Sequence, residues 1–227
     1  MIKPGEEWGI PTTAAADVTL RGTDAELAAL VRADGLSPLV RWSPVESEFA
    51  RSVGLHPDHA DTQPDTGGFE LPVDAFTVEF GVDSSPRPAV NVAVMGTPPA
   101  KLRRQHRARS VTVVIDGRAV YDGLATTVVI ANGQYLDGCD LVPRGHPGDG
   151  RLEIQVYALG AGERGPMRRR LPSGAHLPHP RIVTGSGRIV EVGTGDRAWA
   201  VALDGHPAPT TDRLLARIRP AAIRLLI

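Results

Sequence analysis

Cysteine is almost absent from this chain of 227 residues: Cys139 stands alone, so no disulfide can form within it, and no cysteine pair can anchor a zinc site. A single thiol suits a reducing compartment. Aromatic residues make up 4% of the sequence, too few to interleave with basic residues as stacking platforms for single-stranded nucleic acid do. Neither sign of charge dominates, with 25 Lys and Arg against 26 Asp and Glu, so no global field points to nucleic acid. No run approaches the roughly 20 apolar residues of a membrane span. No apolar run follows the opening MIKPGEEWG, so no secretory signal is read, and a folded cytoplasmic protein is expected. G-x-S-x-G, H-E-x-x-H, Walker A and C-x-x-C patterns are all missing, which leaves nucleophile-elbow and zinc-hydrolase chemistry without an anchor.

What is plentiful is punctuation: 25 Gly and 20 Pro, the mark of many short strands joined by loops. Apolar, β-branched runs read as strands at Phe69–Val73, Phe76–Phe80, Ala89–Met95, Ser110–Ile115, Thr126–Ile130, Leu152–Val156, Arg181–Val183, Arg188–Val192, Ala198–Leu203 and near Ala222–Ile227. Turn signals fall at Asp116-Gly117, Asp122-Gly123 and Asp204-Gly205, and the pattern predicts a mainly β fold, a sandwich or related barrel. Upstream, a strand at Val18–Leu20, a helix of about three turns opened by the capping box Thr23–Glu26 and closed by Gly35, and a strand at Pro38–Trp42 form a small βαβ-like unit. A second capping box, Ser43–Glu46 with Pro44 at the first helical position, predicts a helix through Phe49, Ala50 and Val53. The polar stretch 56–68 is the best boundary, giving a reduced α/β unit at 1–56, a linker at 57–68 and a β domain at 69–227.

Three clusters invite a chemical reading. Gly160–Gly165 matches G-x-G-x-x-G, but Pro166, three arginines and Pro172 leave no room for the helix that would hold a pyrophosphate, so a surface turn is expected. His176 and His179, with His146, His206 and Cys139, lack the tight four-ligand spacing of structural zinc and are expected to be solvated loop residues. The run Lys101–Arg109 and the cluster Arg168–Arg170 are solvated faces unless the fold joins them, in which case they would suit phosphate or anionic lipid.

The order of landmarks resembles the bacterial diacylglycerol kinases and their sphingosine-kinase relatives, lipid kinases with an NAD-kinase-like first domain. Residues 47–55 (SEFARSVGL) are similar to that family's NDFARSLGI helix, and 89–96 (AVNVAVMG) to its F-x-N-x-x-S-x-G strand. IANG at 130–133 resembles its VANG strand end; Pro143 followed by Asp149, Gly150 and Leu152 its "P, then DG, then L" loop. GAH at 174–176 before Pro180, LDG at 203–205 and the terminal PAAI at 220–223 complete the order. The resemblance implies a β-sandwich like the family's C-terminal domain behind a shrunken α/β remnant.

It also implies what has gone. The family's GGDGT loop, which handles ATP phosphates, has no counterpart, and its GTxND turn is replaced by PVESE at 44–48. There Ser43 and Glu46 are expected to occupy the helix-start amides while Glu46 and Glu48, beside Ser47, add negative charge, so ATP is not expected to be held. By position the catalytic candidates are Asp204 and His206, the latter replacing the glutamate of DGE. A lipid pocket would lie between the sheets near Asn91 and Asn132. A structural Mg²⁺ would be held by Asp149 with backbone carbonyls of His146 and Arg151; the other reading of Asp149-Gly150 is simply a tight turn. Three functions follow: a pseudokinase serving as a lipid-binding or protein-docking module, attached at most peripherally to a membrane; an active ATP- and Mg-dependent lipid kinase with a degenerate cleft or a partner-supplied nucleotide domain; or a structural interaction domain without lipid.

Overall fold

The computed structural model describes residues 8–32, 34–55, 68–81, 85–195 and 197–227; all of the expected linker except Gly68 lies outside them. In chain order the strands are β1 (Ile10–Thr12), β2 (Val18–Gly22), β3 (Leu39–Pro44), β4 (Gly68–Phe80), β5 (Arg87–Ala89), β6 (Val92–Gly96), β7 (Arg109–Ile115), β8 (Arg118–Ala125), β9 (Thr127–Ala131), β10 (Tyr135–Leu136), β11 (Cys139–Asp140), β12 (Leu152–Tyr157), β13 (Ile182–Gly187), β14 (Ile189–Gly193), β15 (Trp199–Leu203), β16 (His206–Thr211) and β17 (Arg213–Leu226). Among the described residues three short α-helices accompany them: α1 (Asp24–Ala28), α2 (Phe49–Ser52) and α3 (Arg164–Arg170).

Alternation of small β-branched residues places all but β10 and β11, which pair with each other, in two large sheets. The smaller runs β13-β12-β9-β6-β15-β16; the larger runs β1-β4-β17-β14-β7-β8, with β5 beside β4 and β2-β3 attached through β17. Phe76, Val78, Val113, Val190 and Leu214 from the larger sheet meet Met95, Ile130, Ile154, Trp199 and Val201 from the smaller, and this layer is the sandwich core. Full burial of each such side chain contributes about 1.5–3 kcal/mol. The mainly β sandwich expected from the strand pattern is therefore present.

Three hairpins close on Asp-Gly pairs with both residues at positive φ: Asp116-Gly117 (48° and 78°), Asp137-Gly138 (51° and 71°) and Asp204-Gly205 (48° and 80°). This is type I′ geometry, whose twist matches the flanking strands. Asp122-Gly123 forms no turn. It lies inside β8 opposite Thr112 and Val111, because the turn at Asp116 sets a register that runs on to Arg109 and Ala125.

The two expected strands either side of Asp74 are one continuous strand, β4, and the expected terminal run is the end of the long β17. The expected strand Ala89–Met95 divides instead: β5 joins the larger sheet and β6 the smaller, the chain changing layers at Val90-Asn91.

At the N-terminal end, β2 and β3 are parallel and joined by α1, and β3 pairs in parallel with β17 at Leu39↔Arg224 and Val40↔Leu225. Leu27, Trp42, Phe49 and Val53 pack here on Leu71, Val73, Ile223 and Leu225, so β4 and β17 each serve two cores. The Thr23–Glu26 capping box forms, but α1 ends after five residues. Its last turn tightens, with the amides of Leu30 and Val31 bonding three residues back to Leu27 and Ala28. The Ser43–Glu46 box does not form. Ser43 and Pro44 are paired with β2, the Val45 amide bonds the Gly22 carbonyl at 2.9 Å, and Glu46 turns to φ 48°, so the helix starts only at Phe49. After G-x-G-x-x-G, contrary to expectation, there is a helix: α3, whose buried Arg164 and Met167 tie it to the smaller sheet's outer side.

Candidate functional site

Asp24 opens α1, and its carboxylate reaches across to the start of α2. Its Oδ2 accepts the Phe49 N–H at 3.1 Å, while its Oδ1 is hydrogen-bonded to the Ser47 hydroxyl. Ser47 Oγ in turn accepts the Ala50 N–H at 2.9 Å. The amides at the start of α2 are thus filled by Asp24 and Ser47, not by Ser43 and Glu46. Glu46 is exposed, and Glu48 turns away to accept the Gly138 N–H at 2.7 Å and to pair with Arg51 at 3.6 Å. Burial pushes the Asp24 carboxyl up, against the pull of the groups that bond it.

Next to this lies a second buried carboxylate. Asp204, at the first position of its turn, points inward: Oδ2 accepts the Val90 N–H at 2.9 Å, and Oδ1 those of Asn91 at 2.9 Å and Val92 at 3.0 Å. It clasps the segment where the chain passes from one sheet to the other. Burial raises its pKa to about 6 in spite of these donors. Asn91 gives its amide hydrogens to the Tyr135 carbonyl (3.0 Å) and, more distantly, Asp24 (3.4 Å). Asn132 gives its own to the carbonyls of Asp74 (2.8 Å) and Val90 (2.7 Å). A Cβ on Gly133 would stand 2.2 Å from Asn91 Oδ1, so glycine is what lets the strand end approach so closely. The structure therefore gathers Asn91, Asn132 and Asp204 around Asp24, and leaves His206 exposed at the start of β16.

A third carboxylate, Asp74, holds the long loop. Its Oδ2 accepts the Gly150 N–H at 2.6 Å, and its Oδ1 that of Ala221, at φ 48° in the bulge of β17, at 2.8 Å. Its own N–H donates to the Pro147 carbonyl at 2.7 Å. In the loop itself Asp149 Oδ1 accepts the Arg151 N–H at 2.9 Å, and the His146 carbonyl accepts from Gly148 and, at longer range, Asp149. The His146 ring lies 4.7 Å from that of Trp8. Burial raises the carboxyls of Asp149, Asp74 and Glu153, and the charge of Asp149 adds a smaller push on the other two. Among the described residues no three His, Cys, Asp or Glu side chains are grouped to bind a metal.

Residues 77–227 match the family model described as the YegS C-terminal NAD kinase beta sandwich-like domain. The chain belongs to this family. Its fold is also similar to that of a diacylglycerol kinase from Bacillus anthracis str. Sterne, with a TM-score of 0.68 at 16% identity over 92% of this chain and 76% of that one. Yeast NADH kinase complexed with NADH is more distant, with a TM-score of 0.53 at 13% identity over 92% of this chain and 61% of that one. Identities this low establish the fold alone. Curated proteins gave no sequence match.

In this YegS-like sandwich the expected solvated histidines do not all behave alike. His176 is buried, stacked 6.5 Å from Tyr157, whose hydroxyl lies 3.4 Å from His176 Nε2 and 2.6 Å from Gln155 Oε1. The residues missed from sequence are Asp24 and Asp74. Asp74 carried a signal, an acid inside the apolar run LPVDAFTV, since a charge buried there must find partners.

A carboxyl whose folded pKa is raised stabilises the fold fully below its ordinary value of 3.8, and that contribution is lost as pH rises through about 6 for Asp204. His176, whose pKa burial lowers, acts in the opposite sense. The comparison is therefore made with Asp204→Asn: between pH 7 and 5 the unmodified protein should gain about 1 kcal/mol relative to the variant. Urea unfolding at both pH values measures this, and equal pH slopes would count against it.

Proposed function

We propose that this chain is a lipid-kinase-family protein that does not hold ATP by itself and serves as a lipid-binding or docking module. The observation that carries the reading is the carboxylate of Asp24 on the amide of Phe49, with Ser47 on that of Ala50. A helix start attracts phosphate through unoccupied amides and the positive end of the helix dipole. Here the amides already hold a buried carboxylate, whose charge repels a second anion. The helix behind them is one turn long, so little dipole adds up.

The active-kinase alternative needs a base near neutral pH, and Asp204 is the natural candidate. Both of its oxygens are spent on backbone amides, which argues against proton transfer from a lipid hydroxyl. A hydrated Mg²⁺ at Asp149 would have a structural part under this reading. Titration of Mg-ATP into the full chain by calorimetry should give no saturable binding below about 1 mM, a Kd ceiling that corresponds to only about 4 kcal/mol of affinity. Micromolar affinity would overturn the proposal. Native mass spectrometry of the purified protein should show bound acyl lipid; its consistent absence would favour a structural domain without lipid.

A further inference from the structure

Two basic stretches distant in sequence face each other across one groove. Leu102 anchors the first in a buried cluster with Met167 and Leu171, which anchor the second. Arg164 between them is itself buried. Its guanidinium donates to the carbonyls of Arg103 (2.9 Å), Arg104 (3.2 Å) and His106, and also to that of Leu159. One arginine is thus spent as a structural rivet so that others are held in place. The resulting groove, about 460 Å³, is lined by Arg103, Arg104, Arg168 and Arg169 with Gly162 and Gly165.

No carboxylate lines this groove, and among the described residues none of those four arginines has an ion pair. The nearest acid in sequence, Glu163, is engaged by the Gly160 amide at 2.7 Å and faces Arg181 at 3.6 Å. Arg168 Nε is buried without a hydrogen-bond partner. Against a net charge of −1, this is a strong local excess of positive charge. A rigid fork of uncompensated guanidinium groups is built for phosphate oxygens. The two glycines leave room on the groove's walls for a headgroup.

We infer that this groove docks the protein on a membrane surface of anionic phospholipid, the arginines taking the lipid phosphates. The choice of lipid as the phosphate source rests on the lipid-module reading above. Neither stretch carries a Phe, Tyr or Trp, the usual platforms for stacked bases, which disfavours single-stranded nucleic acid.

Co-sedimentation of the full chain with vesicles tests it. Vesicles of 30% phosphatidylglycerol in phosphatidylcholine should retain the protein at 0.1 M NaCl and release it at 0.5 M, and pure phosphatidylcholine should not retain it. A basic side chain near such a surface strengthens binding by about fivefold, so reversing three charges in Arg103→Glu, Arg104→Glu and Arg169→Glu together should weaken partitioning by at least about 100-fold. A charge-matched variant away from the groove, Arg87→Glu, Arg118→Glu and Arg188→Glu, should bind as the unmodified protein does. Both variants should unfold at an unchanged temperature, because the altered side chains are exposed. Absence of binding by the unmodified protein, equal loss in both variants, or tighter binding to an RNA oligomer than to vesicles would overturn the inference. Mg-ATP binding, measured without vesicles, would overturn the pseudokinase reading and leave this result standing.

Discussion

Asp204→Ala should lower stability by about 4 kcal/mol or more. Three backbone N–H groups, of Val90, Asn91 and Val92, lose their acceptor in a buried place. Each orphaned buried donor costs about 1–3 kcal/mol, offset in part if water enters. For a domain of this size that corresponds to a fall of roughly 10 °C in Tm. Asp204→Asn should lie between, because its carboxamide oxygen can still accept while its NH₂ confronts a backbone donor. Urea unfolding followed by circular dichroism gives both values. A loss under about 1 kcal/mol for the alanine variant would show that the clasp does not matter.

Asp74→Ala should cost about 3 kcal/mol, and the damage should be placed differently. The carboxylate joins the Gly150 amide of the long loop to the Ala221 amide of the β17 bulge. Without it, hydrogen exchange at Gly150 and Ala221 should accelerate by at least about tenfold, while the amides of 90–92 keep their protection. In Asp204→Ala the pattern should reverse. Uniform acceleration in both variants would mean that the two carboxylates support one undivided cluster and do not anchor separate segments.

These two residues mark where sequence reading succeeds and fails here. Strands were legible because β-branched runs stand between Gly and Pro, and the turns at Asp116 and Asp204 because an Asp-Gly pair suits type I′ geometry. The Thr23 box was legible because both of its members lie within one helical turn. The identical pattern at Ser43–Glu46 misled, because its backbone is claimed by β2, more than twenty residues earlier. A local signal cannot report a distant partner. Asp24 was invisible for the same reason: inside the Thr23 box it is only a middle residue, and its role appears when α2 is brought against it. The structure brings Asn91, Asn132 and Asp204 into one neighbourhood, while the direction in which Asp204 points depends on the passage between sheets at Val90-Asn91. The two basic stretches are tied together by Arg164, whose burial no composition reveals.

The shared strands β4 and β17 give the molecule a mechanical character. They form one antiparallel ribbon of 13 and 14 residues that passes beneath both the N-terminal helices and the sandwich, interrupted only at the bulge opposite Asp74. Enzymes that close over a substrate swing on a few loop residues. Here such a swing would have to flex a stiff hydrogen-bonded plank, and the one place where it can give is pinned by a carboxylate. A displacement of the N-terminal helices would therefore have to move the same two strands that carry the sandwich core.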